Sequence, residues 1–236
     1  MNIILIQCGH IPDNLQYISG DVPEIFHRFF SKYEPEIHLD VYDATLGELP
    51  NEKVETDGFL FSGSAHSAYE NKKWILQTKS FIRELYRKRR KMVGICFGHQ
   101  IIAESLGGSV KRSSKGWGVG VQSVAITKQV SWMIPTVMEC NVLVSYQDQI
   151  ETLPPGAIVL GSNSHCRHFI YVIEDFVLGI QGHPEADKTF AAALYNYRIE
   201  RIGQESVKKA ISSLEKTVHT AIWAKWIYNF LSPPDK

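Results

Sequence analysis

Cys96 stands at the centre of Val93-Gly94-Ile95-Cys96-Phe97-Gly98-His99-Gln100. A short apolar run, Lys91 to Ile95, reads as a strand that leads straight into it. Beyond it, Ile101-Ile102-Ala103-Glu104-Ser105-Leu106 continues as a helix that the Gly107-Gly108 pair closes. A nucleophile at a strand-to-helix junction between two glycines is the nucleophile-elbow layout, with cysteine in place of serine. The turn is sharp, and side chains at positions 94 and 98 would meet neighbouring backbone. At the mouth of a helix, unpaired N–H groups and the helix dipole favour thiolate over thiol. The N–H of Phe97 faces the place where an oxyanion would form. A buried structural cysteine is the competing reading, because the pattern Gly-x-Cys-x-Gly is short.

A cysteine nucleophile needs a base, and the base needs a group to orient it. Leu178-Gly179-Ile180-Gln181-Gly182-His183-Pro184-Glu185 offers both, with an apolar strand ending at a histidine and a carboxylate two residues later. His183 can take or hold the sulfur proton and later give one to a leaving amine. Glu185 can accept from the other ring nitrogen, and Pro184 stiffens the link. Ser62-Gly63-Ser64 follows another short strand, Gly58 to Phe61. Loops at the C-terminal ends of neighbouring strands in an α/β sheet share one crevice, so the N–H of Gly63 or Ser64 can supply a second oxyanion donor. Considered alone, that loop is an ordinary Gly/Ser turn.

These residues need a scaffold that brings distant strand ends together. Short apolar runs alternate with longer amphipathic stretches, the pattern of an α/β domain. Strands are expected at 2–7, 37–42, 58–61, 91–95, 119–126, 141–145, 157–161, 169–174 and 177–181. The segment from about 109 to 180 is expected to add antiparallel strands to a parallel core. A helix over 74–90 presents Trp74, Ile75, Thr78, Phe81, Ile82 and Leu85 on one stripe. The tail from about 187 to 231 reads as helix, with Val207, Ala210, Ile211, Leu214, Val218, Ala221, Ile222 and Phe230 on one face and Ser232-Pro233-Pro234 as its stop. With 236 residues the chain fits one large domain, 1–236, with a catalytic core over about 1–195 and a helical extension over about 196–236.

Composition narrows the setting. The 25 Lys and Arg residues balance the 25 Asp and Glu, so there is no global pull towards nucleic acid or an anionic membrane. The basic stretch Arg83 to Lys91 reads as a solvated helix end whose cations face the negative pole of the dipole, or else as a docking patch. No run reaches the roughly 18–20 apolar residues of a membrane helix, and Met1 to Cys8 reads as a buried first strand rather than a signal peptide. The four cysteines, Cys8, Cys96, Cys140 and Cys166, form no Cys-x-x-Cys pair, which suits a reducing cytoplasm. His99 is expected to pack behind the elbow. His66, His165 and His168 show no metal-ligand spacing, so no metal and no cofactor is expected.

Five segments together resemble the class I, triad-type glutamine amidotransferases, including the glutaminase domain of GMP synthases and stand-alone γ-glutamyl peptidase-like relatives. They are Ser62-Gly63-Ser64, Gly94 to Gln100, Lys115-Gly116-Trp117-Gly118, Ser145-Tyr146-Gln147-Asp148 and Gly182 to Glu185, spread over roughly residues 1–190. The resemblance implies a flavodoxin-like three-layer α/β/α sandwich, with a central mostly parallel sheet plus added antiparallel strands. It implies attack by Cys96 on the glutamine side-chain amide, a γ-glutamyl thioester, and its hydrolysis. Gln100 would contact the bound glutamine, and the main chain near Ser145, Tyr146 and Gln147 would hold its α-amino and α-carboxylate ends. The family usually has Ser-Gly-Gly-Pro where this chain has Ser62-Gly63-Ser64-Ala65, and commonly His at Tyr146.

The expected substrate is therefore glutamine or another γ-glutamyl small molecule. The chain shows no phosphate-binding Gly-x4-Gly-Lys-Ser/Thr loop, so it either serves a separate synthetase subunit or hydrolyses a γ-glutamyl amide by itself. The Ser62-Gly63-Ser64 and Lys115-Gly116-Trp117 segments favour the second form. The alternative is a catalytically inert binding or regulatory module on the same fold. A third class, cysteine peptidases with histidine immediately after the nucleophile, is disfavoured because Phe97 follows Cys96.

Overall fold

Strand β1 (Asn2–Gln7) is buried over five consecutive positions, the mark of a strand covered on both faces. It pairs in parallel with β2 (His38–Asp43) on one side and with β3 (Gly58–Phe61) on the other. The structure, a computed structural model, describes residues 1–51 and 53–232; Pro233 and Pro234, expected to stop the last helix, lie outside them. Between β1 and β2 run two helices, α1 (Asp13–Ser19) and α2 (Val22–Tyr33). After β3 come α3 (Lys73–Arg87), β4 (Met92–Ile95) and α4 (Phe97–Ser105).

The next segment is strand-rich: β5 (Ser109–Arg112), β6 (Gly118–Ile126), β7 (Glu139–Tyr146), β8 (Asp148–Thr152), β9 (Ala157–Ser162), β10 (Ile170–Ile173) and β11 (Val177–Ile180). Four helices follow, α5 (Lys188–Tyr197), α6 (Ile199–Ile202), α7 (Gln204–Ser213) and α8 (Thr220–Leu231). The main sheet has nine strands in the order β2-β1-β3-β4-β11-β10-β9-β6-β7, and β5 and β8 form a separate ribbon. The run from β2 to β11 is parallel, and β10, β9, β6 and β7 extend it antiparallel.

Helices cover both faces, giving three layers. On one face Phe26, Phe29 and Phe30 of α2 join Trp223, Trp226 and Phe230 of α8 over Leu5, Leu60 and Val93. On the other, Ile75, Ile82 and Leu85 of α3 join Ile101 and Ile102 of α4 over Ile6, Phe61 and Met92. This is the α/β/α sandwich, with a parallel core and added antiparallel strands.

Several elements differ from the reading of the sequence. Helix α3 ends at Arg87, and Arg89 takes a positive φ of 52°. The basic stretch therefore continues past the helix. Arg89 pairs with Glu174 and Asp175, while Lys91 donates to the Phe230 and Ser232 carbonyls at the end of α8. That is a cation at the negative pole of α8, in addition to Arg87 in the last turn of α3. The tail is not one helix with one face. Gly203, at φ 92°, and the turn after Ser213 break it; Val218 still packs with Val207 and Ala210, but from outside any helix, and Ala221 is exposed.

Candidate active site

The elbow is built by exclusion of side chains. A Cβ on Gly94 would lie 2.5 Å from the Gly98 carbonyl, and one on Gly98 would lie 2.1 Å from the Phe61 oxygen. Both contacts are with backbone, which cannot swing aside. Cys96 itself sits at φ 53°, ψ −102°, outside the regions an L residue prefers. Strain of that kind, about 1–3 kcal/mol, is held by surrounding structure. Here the Cys96 N–H donates to the Ile180 carbonyl at 2.8 Å and the Cys96 carbonyl accepts from Gln100 N at 3.1 Å. The side chain is buried, at 5% exposure, at the start of α4.

The first of those bonds ties β4 to β11, and β11 delivers the histidine. Beyond β11 the chain turns through Gly182, and the His183 N–H donates to the Leu143 carbonyl of β7 at 2.8 Å. The His183 Nδ1 and Glu185 Oε1 lie 2.7 Å apart, with the Glu185 side chain only 8% exposed. Its other oxygen, Oε2, is buried and has no partner among the described residues. The His183 ring also hydrogen-bonds the Cys96 side chain, and both flank Gly63, where a Cβ would lie 2.8 Å from His183 Cε1 and 3.8 Å from Cys96 Cβ. Burial opposes a charge on the ring. The Cys96 and Glu185 charges, and the hydrogen bonds to both, outweigh it and hold the His183 pKa well above its ordinary 6.5. The arrangement favours an imidazolium at His183.

The loop that carries the candidates Gly63 and Ser64 lies beside the elbow that carries Phe97. Ser62 is fully buried; its carbonyl accepts from Gly98 N at 3.1 Å and its Oγ from Cys8 N at 2.9 Å. These bonds fasten the loop after β3 to α4. The N–H groups of Gly63, Ser64 and Phe97 are left without a protein partner among the described residues.

Cys96 opens on a cavity of about 80 Å³ lined also by Ser64, Gln100, Ser145, Tyr146, Gln147 and Asp148. All four expected substrate positions are therefore brought to the sulfur, but not in equivalent roles. Gln100 Nε2 is already engaged, donating to the Asp148 carbonyl at 2.7 Å and to Gln181 Oε1 at 3.1 Å. The Tyr146 hydroxyl is buried and donates to Gln122 Oε1 at 3.2 Å, so what this residue offers a ligand is its ring and main chain. The Gln147 carbonyl accepts from Ser113 N. His99 is buried, its pKa pushed down to about 3 by burial, and it packs on Tyr171 with 5.0 Å between ring centroids. His66 pairs with Glu70, and His168 bonds the Ile150 carbonyl. Among the described residues no group of three or more His, Cys, Asp or Glu side chains is placed to hold a metal.

Four further residues were given no role from the sequence, although Gln181 and Trp117 lie in segments it named. Gln181, fully buried, places Nε2 3.7 Å from the Cys96 sulfur and so links it to Gln100. Arg198 and Arg201 line the same cavity, and Arg198 donates to Ser145 Oγ at 2.9 Å. Trp117 lines it too, under the Arg201 guanidinium at 5.5 Å, and its buried Nε1–H has no partner among the described residues. A polar residue at the end of an apolar strand was a signal for Gln181. Nothing in the tail sequence separates Arg198 and Arg201 from solvated helix residues.

Residues 21–196 match the family model described as glutamine amidotransferase class-I. The chain is 31% identical over 218 residues to γ-glutamyl peptidase 3 of Arabidopsis thaliana, covering 87% of this chain and 88% of that protein. It is 30% identical over 199 residues to γ-glutamyl peptidase 2 of the same plant, covering 81% and 80%. Among solved structures, a glutamine amidotransferase from Thermotoga maritima superposes with a TM-score of 0.75 at 19% identity, covering 99% of both chains.

Proposed function

The chain belongs to the class I glutamine amidotransferases and is a hydrolase-type enzyme, and from this premise we propose that it cleaves γ-glutamyl amides through Cys96, His183 and Glu185. The observation that carries the reading is the His183 ring lying against Cys96, with Glu185 at 2.7 Å behind it. The Cys96 thiolate attacks the amide carbonyl. The oxyanion is received by the N–H of Phe97 and by those of Gly63 and Ser64. The His183 imidazolium gives its proton to the leaving nitrogen, the C–N bond breaks, and a γ-glutamyl thioester remains on sulfur. Water then attacks the thioester with His183 as base, releasing glutamate and restoring the thiolate. Glu185 fixes the ring's tautomer and supports its charge.

The polar cavity supports recognition of the glutamyl end. Arg198, Arg201 and the Trp117 Nε1–H present donors to a carboxylate, while Gln100 holds the Asp148 main chain in place. Because Arg198 and Arg201 come from the helical tail, that tail belongs to the same catalytic unit as the core. Peptidase relatives that match over most of their length support a chain that acts by itself rather than one that feeds a synthetase subunit. Four free cysteines suit a reducing compartment such as the cytoplasm, and no helix among the described residues is long and apolar enough to cross a membrane.

The test is a panel of glutamine, glutathione and γ-glutamyl dipeptides incubated with purified protein, reading glutamate together with ammonia or amine. Release by the wild type and its loss in Cys96→Ala are expected. Equal inactivity of both proteins across the panel would instead identify an inert binding module.

A further inference from the structure

A second cavity, also about 80 Å³, lies beyond the triad, walled by Ile11, Val22, Ile25, Phe26, Phe190 and Leu194. Gly63, Ser64, His183 and Glu185 form its inner end. The two cavities share Ser64, Ala65, Ser145 and Arg198, so they meet at the loop after β3. Their chemistry is opposite. Cys96, Gln100 and the Tyr146–Asp148 main chain line the first and not the second. The ionisable groups that line the second are bonded to partners: His10 to Asp21 and Asp43, Glu185 to His183, and Arg198 to Ser145. The other walls are aliphatic and aromatic side chains from the segment before α1, from α2 and from α5.

An amide bound at Cys96 has two sides. The glutamyl side, with its amino and carboxylate groups, belongs in the polar cavity. The other side begins at the nitrogen that His183 must protonate, and His183 lines the apolar cavity. We propose that this cavity seats the departing amine, so that the enzyme takes γ-glutamyl amides of apolar primary amines in preference to those of small or charged ones. The inference rests on the hydrolase reading above and names its substrate class. Ammonia from glutamine leaves the cavity empty and gains nothing from its walls. An aryl or alkyl amine buries its body against Ile25, Phe26, Phe190 and Leu194, and a buried hydrocarbon group of that size is worth about tenfold to hundredfold in kcat/KM.

The experiment compares kcat/KM of the full chain on γ-glutamyl methylamide, γ-glutamyl glycine and γ-glutamyl 2-phenylethylamide, which share the scissile bond and differ only in the amine. The phenylethylamide is expected to exceed both others by at least about tenfold. Ile25→Phe and Ile11→Trp narrow the cavity from two separate elements and are expected to bring the phenylethyl-to-methyl ratio close to one. Cleavage of all three amides at similar rates, a preference for the glycine conjugate, or a ratio unmoved in both folded variants overturns the proposed seat and leaves the hydrolase standing. Cleavage of none overturns the seat, and if glutamine and glutathione are not cleaved either, the hydrolase reading falls with it.

Discussion

Gly63→Ala is a narrow test of the site because its added methyl group has one near neighbour that can move. The new Cβ would lie 2.8 Å from His183 Cε1, against ordinary contact from 3.4 Å, while Cys96 Cβ at 3.8 Å is undisturbed. The imidazole must retreat by about 0.6 Å from Gly63, which alters its position relative to the sulfur, and it is tethered by the 2.7 Å contact with Glu185. Misplacing a reacting group by about 1 Å costs on the order of 100-fold in rate, so a shift of this size is expected to lower kcat/KM about 10- to 50-fold. Stability should hardly change. The pressure falls on a side chain at a partly open site and costs about 1 kcal/mol, or roughly 2–4 °C in Tm for a chain of this size. Steady-state release of amine from a γ-glutamyl amide, with a thermal melt alongside, reads both quantities. Full activity with an unchanged melt would show that turnover does not require His183 where the structure holds it.

Three other outcomes follow from the same geometry. Glu185→Gln keeps the shape but removes the anion and the tautomer control, so kcat/KM should fall by about 10³–10⁴-fold, and the alkaline limb of the pH–rate profile should move to lower pH because the imidazolium loses a stabilising charge. Trp117→Phe and Arg198→Met remove donors from the polar cavity; steady-state kinetics should show KM for a γ-glutamyl amide rising about tenfold or more, with a smaller change in kcat. Burial opposes the charge of His10, but Asp21 and Asp43 prevail and raise its pKa above 6.5. Its stabilising contribution is therefore complete below about pH 6.5 and is lost as pH rises through the raised value; thermal melts of His10→Gln should show a flatter pH dependence than wild type, and salt should shrink the difference because the side chain is half exposed.

The elbow was legible because its demands are steric. Only glycine fits at positions 94 and 98, so the pattern survives in the sequence as letters. His183 and Glu185 were legible because an apolar strand ends at them. Helix α2 carries signals just as plain, an Asp21/Glu24 capping box with Pro23 near its start and Val22, Ile25, Phe26, Phe29 and Phe30 at helical spacing, yet no element was drawn there from the sequence. The β5–β8 ribbon is different: it is short and mostly solvent-facing, so its residues carry little alternation. The tail was over-read as one helix because apolar spacing continues through Gly203 and the turn after Ser213, where the backbone does not. Arg198 and Arg201 gain their meaning only from folding, which sets a surface-type residue against Ser145 and Trp117.

The most direct measurement of the central pairing is the pH dependence of Cys96 alkylation by iodoacetamide, read peptide by peptide so that the other three thiols serve as internal standards. Burial pushes the Cys140 and Cys166 thiols up to about 12 and the Cys8 thiol higher still, which should leave all three slow near neutral pH. Cys96 is expected to react at least about tenfold faster than any of them at pH about 6–7, and to lose that advantage in His183→Gln. Four thiols reacting slowly and alike, or a Cys96 rate indifferent to His183, would contradict the account.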